Sequence, residues 1–165
     1  MKRQTFIVVL AGLAMAAMSC AAAGAVGDDT HPDLSGNWKA DMAKSDFGPF
    51  GGPDSQTSVI EHKDPKLRIK TSAKGGPRGD QDSDANYTTD GAECTNKLGE
   101  LEIKTKAAWE GKKLVMNSTL NVQGMDIKAK ATYDLAEDGK VLTINTQYNT
   151  PQGELATKVV MNKSE

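Results

Sequence analysis

The chain is 165 residues long, 25% charged and 5% aromatic, and its 20 basic and 22 acidic side chains give a formal net charge of -2. Charges of both signs are interleaved along nearly every segment, which excludes the basic stripe that nucleic acid requires. Two cysteines exclude a disulfide framework, and beyond the first two dozen residues no stretch approaches the roughly 20 apolar residues of a membrane-spanning helix.

Residues 1–25 have the anatomy of an export signal. Lys2 and Arg3 form a basic head, residues 6–18 an apolar core too short to span a bilayer, and small residues follow up to Ala25. Two processing routes are open. Ala23-Gly24-Ala25 is a small-x-small site that would release a chain starting near Val26, whereas Ala17-Met18-Ser19-Cys20 resembles a bacterial lipobox whose cysteine is lipidated, with Ala17 where the family pattern prefers Leu. The protein is therefore expected to be exported, periplasmic or extracellular, and to meet a membrane only through a lipid anchor on Cys20. Loss of Lys2 and Arg3 takes the net charge from -2 to -4. Residues 26–33, which include His31, read as a flexible polar tail, and residues 34–165 as a single domain. Cys94 is then a lone thiol, best placed as a small buried hydrophobe on a strand.

From residue 34 onward, apolar or small side chains fall on one beat and charges on the other. Leu67, Ile69, Thr71 and Ala73 alternate with Arg68, Lys70 and Ser72, and Leu101, Ile103, Thr105, Ala107 and Trp109 alternate with Glu102, Lys104 and Lys106. Met125, Ile127, Ala129, Ala131 and Tyr133 likewise alternate with Asp126, Lys128 and Lys130. A period of two means strands with one wet and one buried face. Asp64-Pro65, Asp90-Gly91, Glu110-Gly111, Gln123-Gly124, Asp138-Gly139 and the stretch 150–153 punctuate these segments as hairpin turns should. The pattern predicts strands near 36–41, 55–63, 66–73, 82–89, 92–97, 100–109, 112–121, 125–135, 140–148 and 154–162, with a helical turn over 42–45. Two Gly/Pro-rich stretches, 47–53 and 74–79, read as loops at the barrel mouths. A ten-strand meander leaves two open edges unless it closes, so the expected fold is all-β, an antiparallel up-and-down barrel of about 8–10 strands.

The inward positions of such a barrel are mostly small or hydroxylated: Thr71, Ala73, Ala85, Thr105, Ala107, Ser118, Ala129, Ala131, Thr143 and Thr157. A closed core built from them would be underfilled, at about 24 cal/mol for each cubic ångström of void, so either the interior holds a cavity or some strands turn their other face inward. Tyr87, Trp109 and Tyr133, the aromatic ends of three strands, are the candidate ligand contacts. Convergent chemistry is scarce. Glu61 and His62 fall on opposite faces, and Asp80, Asp82 and Asp84 alternate along a strand without the loop spacing of a calcium site. No Gly-rich segment opens a helix to cradle phosphate, so no metal, no cofactor and no enzymatic acid-base set are expected.

Gly36-Asn37-Trp38 heads the first strand of this barrel, and the triplet followed by an up-and-down meander resembles the calycin group of lipocalins, fatty-acid-binding proteins and avidins. More narrowly, "LSGNWKADMAKSDFG" at 34–48, "IEHKDPKL" at 60–67 and "YTTDG" at 87–91 resemble a set of secreted bacterial lipocalin-like proteins, over nearly all of the chain beyond the signal. The resemblance implies that Trp38 plugs the closed end of the barrel beneath a basic residue of the last strand, here Lys158 or Lys163. It also implies a carrier. The Thr-Asp-Tyr-like lipocalin string and the biotin-contacting aromatics of avidins have no counterpart here, so no particular ligand is implied. The functional expectation is a secreted or envelope-associated barrel binding a small apolar or amphipathic molecule. The alternative is a non-enzymatic structural or protein-interaction module of the cell envelope.

Overall fold

The computed structural model describes residues 31–122, 124–151 and 153–165. The expected export signal, Cys20 and residues 26–30 of the expected tail lie outside the described residues. Period-two alternation becomes ten strands: β1 (Gly36–Ala40), β2 (Ser55–Lys63), β3 (Lys66–Lys74), β4 (Gln81–Thr88), β5 (Asp90–Leu98), β6 (Leu101–Glu110), β7 (Lys113–Val122), β8 (Met125–Leu135), β9 (Val141–Thr150) and β10 (Gly153–Ser164). Each lies within two residues of its predicted bounds. All pairings are antiparallel, in the order β4-β3-β2-β1-β10-β9-β8-β7-β6-β5, so the first and last strands meet and roll the meander into a barrel.

Closure is not complete. β4 and β5 are joined in sequence but share no ladder, which leaves a seam. A side chain bridges it: Asn96 Oδ1 accepts the Asn86 N–H at 2.8 Å while Asn96 Nδ2 donates to the Asn86 carbonyl at 2.9 Å. One carboxamide thus supplies the donor and acceptor that a neighbouring backbone would have offered. Cys94 sits at this seam, half-buried and free, with its Sγ 3.7 Å from Thr88 Oγ1.

Two local expectations are corrected. In place of a helical turn over 42–45 there is a tight turn in which Asp41 accepts the Lys44 N–H, and the chain then rejoins β10 through the Asp46–Lys158 bridge. The Ser45 hydroxyl accepts the Val160 N–H at 3.0 Å, so a side chain fills the skipped rung and the backbone stays along the sheet. A 3-10 turn follows at Gly48–Phe50, with proline in its first turn where that ring fits. The second correction concerns β9. Leu142 is buried and Ile144, Thr146 and Tyr148 line the interior, so Thr143 points outward, opposite Asp134 and Val160. Val141 and Thr143 alternate as well as Leu142 and Ile144 do, and a one-residue slip moves the whole strand to the other face.

Candidate functional site

The barrel interior divides in two, a packed end and a cavity. At one end Leu34, Trp38, Leu67, Leu114, Leu142 and Met161 are at most 2% exposed and pack into a continuous core. Along β3 the inward residues then run Leu67, Ile69, Thr71, Ala73, shrinking toward the other end. β9 narrows from Leu142 and Ile144 to Thr146 before Tyr148 adds an aromatic ring to the wall. The space left by these small residues is a cavity of about 650 Å³.

The two Gly/Pro-rich stretches both border this cavity, through Gly51, Gly52 and Pro53 on one side and Gly75, Pro77 and Gly79 on the other. They touch each other. A Cβ on Gly76 would run into the backbone of Gly52 and Pro53, so glycine there permits the close approach of the two loops over the mouth. Polar groups on the inner wall are neutral and in part satisfy one another. Ser58 Oγ meets Thr71 Oγ1 at 3.0 Å, and lower in the barrel Thr105 Oγ1 meets Ser118 Oγ at 2.8 Å.

Of the three aromatic candidates, only Tyr133 borders the cavity. Burial pushes its phenol well above the ordinary tyrosine range, with the nearby Tyr87 and Tyr148 phenols adding to the shift, so the hydroxyl keeps its proton. Tyr87 packs beside the core opposite Leu67, and its phenol is also raised by burial. Trp109 lies at the closed end. Tyr148 also borders the cavity, a contact the sequence pattern misses because an inward Thr143 turns Tyr148 to solvent. Correct phasing of β9 on Leu142 and Ile144 would have found it.

The closed end is knit by one carboxylate. Asp64, in the β2–β3 turn, accepts from Thr89 Oγ1 (2.6 Å), His62 Nε2 (2.9 Å), Trp109 Nε1 (3.2 Å) and His31 Nδ1 (2.8 Å). The Leu34 N–H points at His62 Nδ1 at 3.4 Å, so Nε2 carries the proton given to Asp64. Burial opposes the charge, but the hydrogen bonds from Thr89, His62, His31 and Trp109 outweigh it and hold the carboxyl well below the usual carboxylate range. His31, placed by sequence in a flexible tail, stacks on Trp109 with ring centroids 4.7 Å apart. Among the described residues, no three His, Cys, Asp or Glu side chains are arranged to hold a metal ion. Asp82 and Asp84 of β4, with Asp80 just before it, are met instead by β3. Arg68 Nε and Nη2 bind Asp84 at 2.8 and 2.7 Å, and Lys74 lies 3.5 Å from Asp80 and 3.4 Å from Asp82.

Trp38 lies beside this joint. It is 1% exposed, donates from Nε1 to the Leu34 carbonyl at 3.0 Å, and has the Lys163 ammonium 5.4 Å from its ring centroid. The Gly-x-Trp triplet has a steric reason here. Gly36 adopts φ +142°, which disfavours side chains, and a Cβ there would lie 2.6 Å from Lys163 Cε, in the path of the lysine stem that crosses to the indole.

Solved structures share this architecture. The chain is similar to a secretory abundant heat soluble protein from Ramazzottius varieornatus, with 18% identity, 79% of this chain and 94% of that one covered, and a TM-score of 0.58. Zebrafish ileal bile acid-binding protein, in complex with cholic acid, matches at 17% identity over 79% and 98% of the two chains, with a TM-score of 0.56. A mutant of the fluorescent protein UnaG matches at 19% identity over 79% and 95%, with a TM-score of 0.52. The chain therefore has a lipocalin-like β-barrel fold. No family model matches the chain, and no curated protein sequence does. None of the three structural neighbours is named for a catalytic activity.

Proposed function

We propose that this protein is an exported, non-enzymatic carrier that binds a small apolar or amphipathic molecule inside its barrel. The single observation that carries the reading is the cavity of about 650 Å³, within the roughly 300–1,000 Å³ of small-molecule sites. Its position supports the reading as well: it sits in the half of the barrel away from the packed core, under two loops shaped by glycine and proline. The bile acid-binding neighbour lends the same fold to a comparable task. The alternative, an envelope interaction module, calls for an exposed apolar patch on the barrel wall. Among the described residues, the exposed large hydrophobics Val59, Leu98 and Met125 lie on β2, β5 and β8, which are not adjacent strands.

Native mass spectrometry of the purified protein is expected to show a co-purifying small molecule, with thermal stabilisation by members of a panel of apolar and amphipathic compounds. A clean apo mass together with no thermal shift across the panel would sink the carrier reading. Export is tested on the same preparation by intact mass. A chain starting near Val26 marks free secretion, a lipid-bearing chain starting at Cys20 marks an anchored protein, and an uncleaved chain recovered from the cytoplasm refutes export.

A further inference from the structure

The charge on the cavity wall narrows the ligand class, and this inference rests on the carrier reading above. Among the described residues that border the cavity, Arg78 alone is charged, and it stands on the exposed 74–79 loop at the mouth. Below the mouth the wall is apolar, with neutral hydroxyl and amide groups at Gln56, Ser58, Thr71, Tyr133, Thr146 and Tyr148. An ionised group carried below the mouth, past Arg78, would lose its water and find no counter-charge there, whereas a hydroxyl or carbonyl would find donors and acceptors at several heights.

We infer that the cavity selects an uncharged, largely apolar molecule bearing one or a few hydroxyl or carbonyl groups, and discriminates against ionised amphiphiles of the same size. The inner surroundings already disfavour negative charge on a group of the protein itself, since burial raises the Tyr133 phenol far above its ordinary range. A buried carboxylate would meet the same penalty. The Asp64 joint does not offset this, because its hydrogen-bond partners converge at the closed end and none of Asp64, His31, His62 or Trp109 borders the cavity.

The test uses two probes of equal chain length, oleyl alcohol and oleate, below their aggregation limits at about pH 8, where the acid is ionised. Each competes with the uncharged dye Nile red for the wild-type protein, with displacement read by fluorescence. The alcohol is expected to displace the dye at concentrations at least about tenfold lower than oleate. Oleate displacing the dye as well as or better than the alcohol would overturn the inference and leave the carrier reading standing. If neither the dye nor either probe binds at any concentration tested, the carrier reading falls and takes the inference with it.

Discussion

At the closed end of the barrel, Leu34, Trp38, Leu114, Leu142 and Met161 have essentially no solvent contact, and Asp64 ties four chain segments together. At the open end β3, β9 and β10 present Thr71, Ala73, Thr146 and Thr157 around a cavity of about 650 Å³. Topology does not distinguish the two ends, since every hairpin runs through both. On β3 residue volume does. A strand that begins with Leu and ends with Ala supplies a floor and a cavity wall from one stretch of backbone, so stability and binding can be altered almost separately.

That separation predicts a hierarchy of effects. Trp38→Ala should cost most, about 3–5 kcal/mol in denaturant unfolding, because a large side chain would leave a void among neighbours fixed by the core. A cost below about 1 kcal/mol would mean that the closed end is not the stabilising half. Adding volume sharpens the contrast. Ala107→Leu, at a position 1% exposed in the packed half, should destabilise by about 1–3 kcal/mol, whereas Ala73→Leu, facing the cavity, should be neutral or stabilising by up to about 1 kcal/mol and should lower the uptake of an uncharged dye. Equal costs for the two substitutions would show that the interior is packed throughout.

The Asp64 joint comes next. Asp64→Asn should lower stability by about 1–3 kcal/mol at neutral pH, toward the lower figure because the carboxylate is 39% exposed. Its folded-state pKa is depressed, so this stabilisation is present above the unfolded value near 4 and is lost as the pH falls from there through the folded value. Thermal melts from about pH 5 down to 2 should therefore show the gap between wild type and variant narrowing as Asp64 takes up its proton. A gap that widens in acid would assign the joint's stabilisation to another group. The smallest loss of stability is expected at the seam. Asn96→Ala removes two hydrogen bonds to Asn86 and should cost about 1 kcal/mol, with faster amide exchange confined to β4 and β5. Unchanged exchange there would mean that the carboxamide does not hold the seam.

Much of this barrel was legible because period-two patterning is local. Each strand can be read from its own ten or so residues, and turn pairs such as Asp90-Gly91 and Asp138-Gly139 mark where it ends. The site was legible in part. Small inward residues foretold the cavity and the Gly/Pro loops its mouth, yet of the proposed contacts Tyr133 alone borders it, and Tyr148 was hidden by the ambiguous phase of β9. Trp109 carries a strand-end aromatic's signature, but its indole N–H is committed to a carboxylate 45 positions away in the chain.

The sequence by itself determined the strand succession, the wet and dry faces of most strands, and the scarcity of large side chains among the inward positions. Tertiary structure alone decided which turn residues converge. His31, His62, Thr89 and Trp109 meet at Asp64 because alternate hairpin corners return to the same rim, and the pairing of β1 with β10 brings the entering chain there too. It also decided that the strings at 60–67 and 87–91, which carried the resemblance, are joined by the bond from Thr89 to Asp64. A period repeats along a chain and can be read from it, whereas convergence across 25 to 45 residues exists only once the sheet has curled.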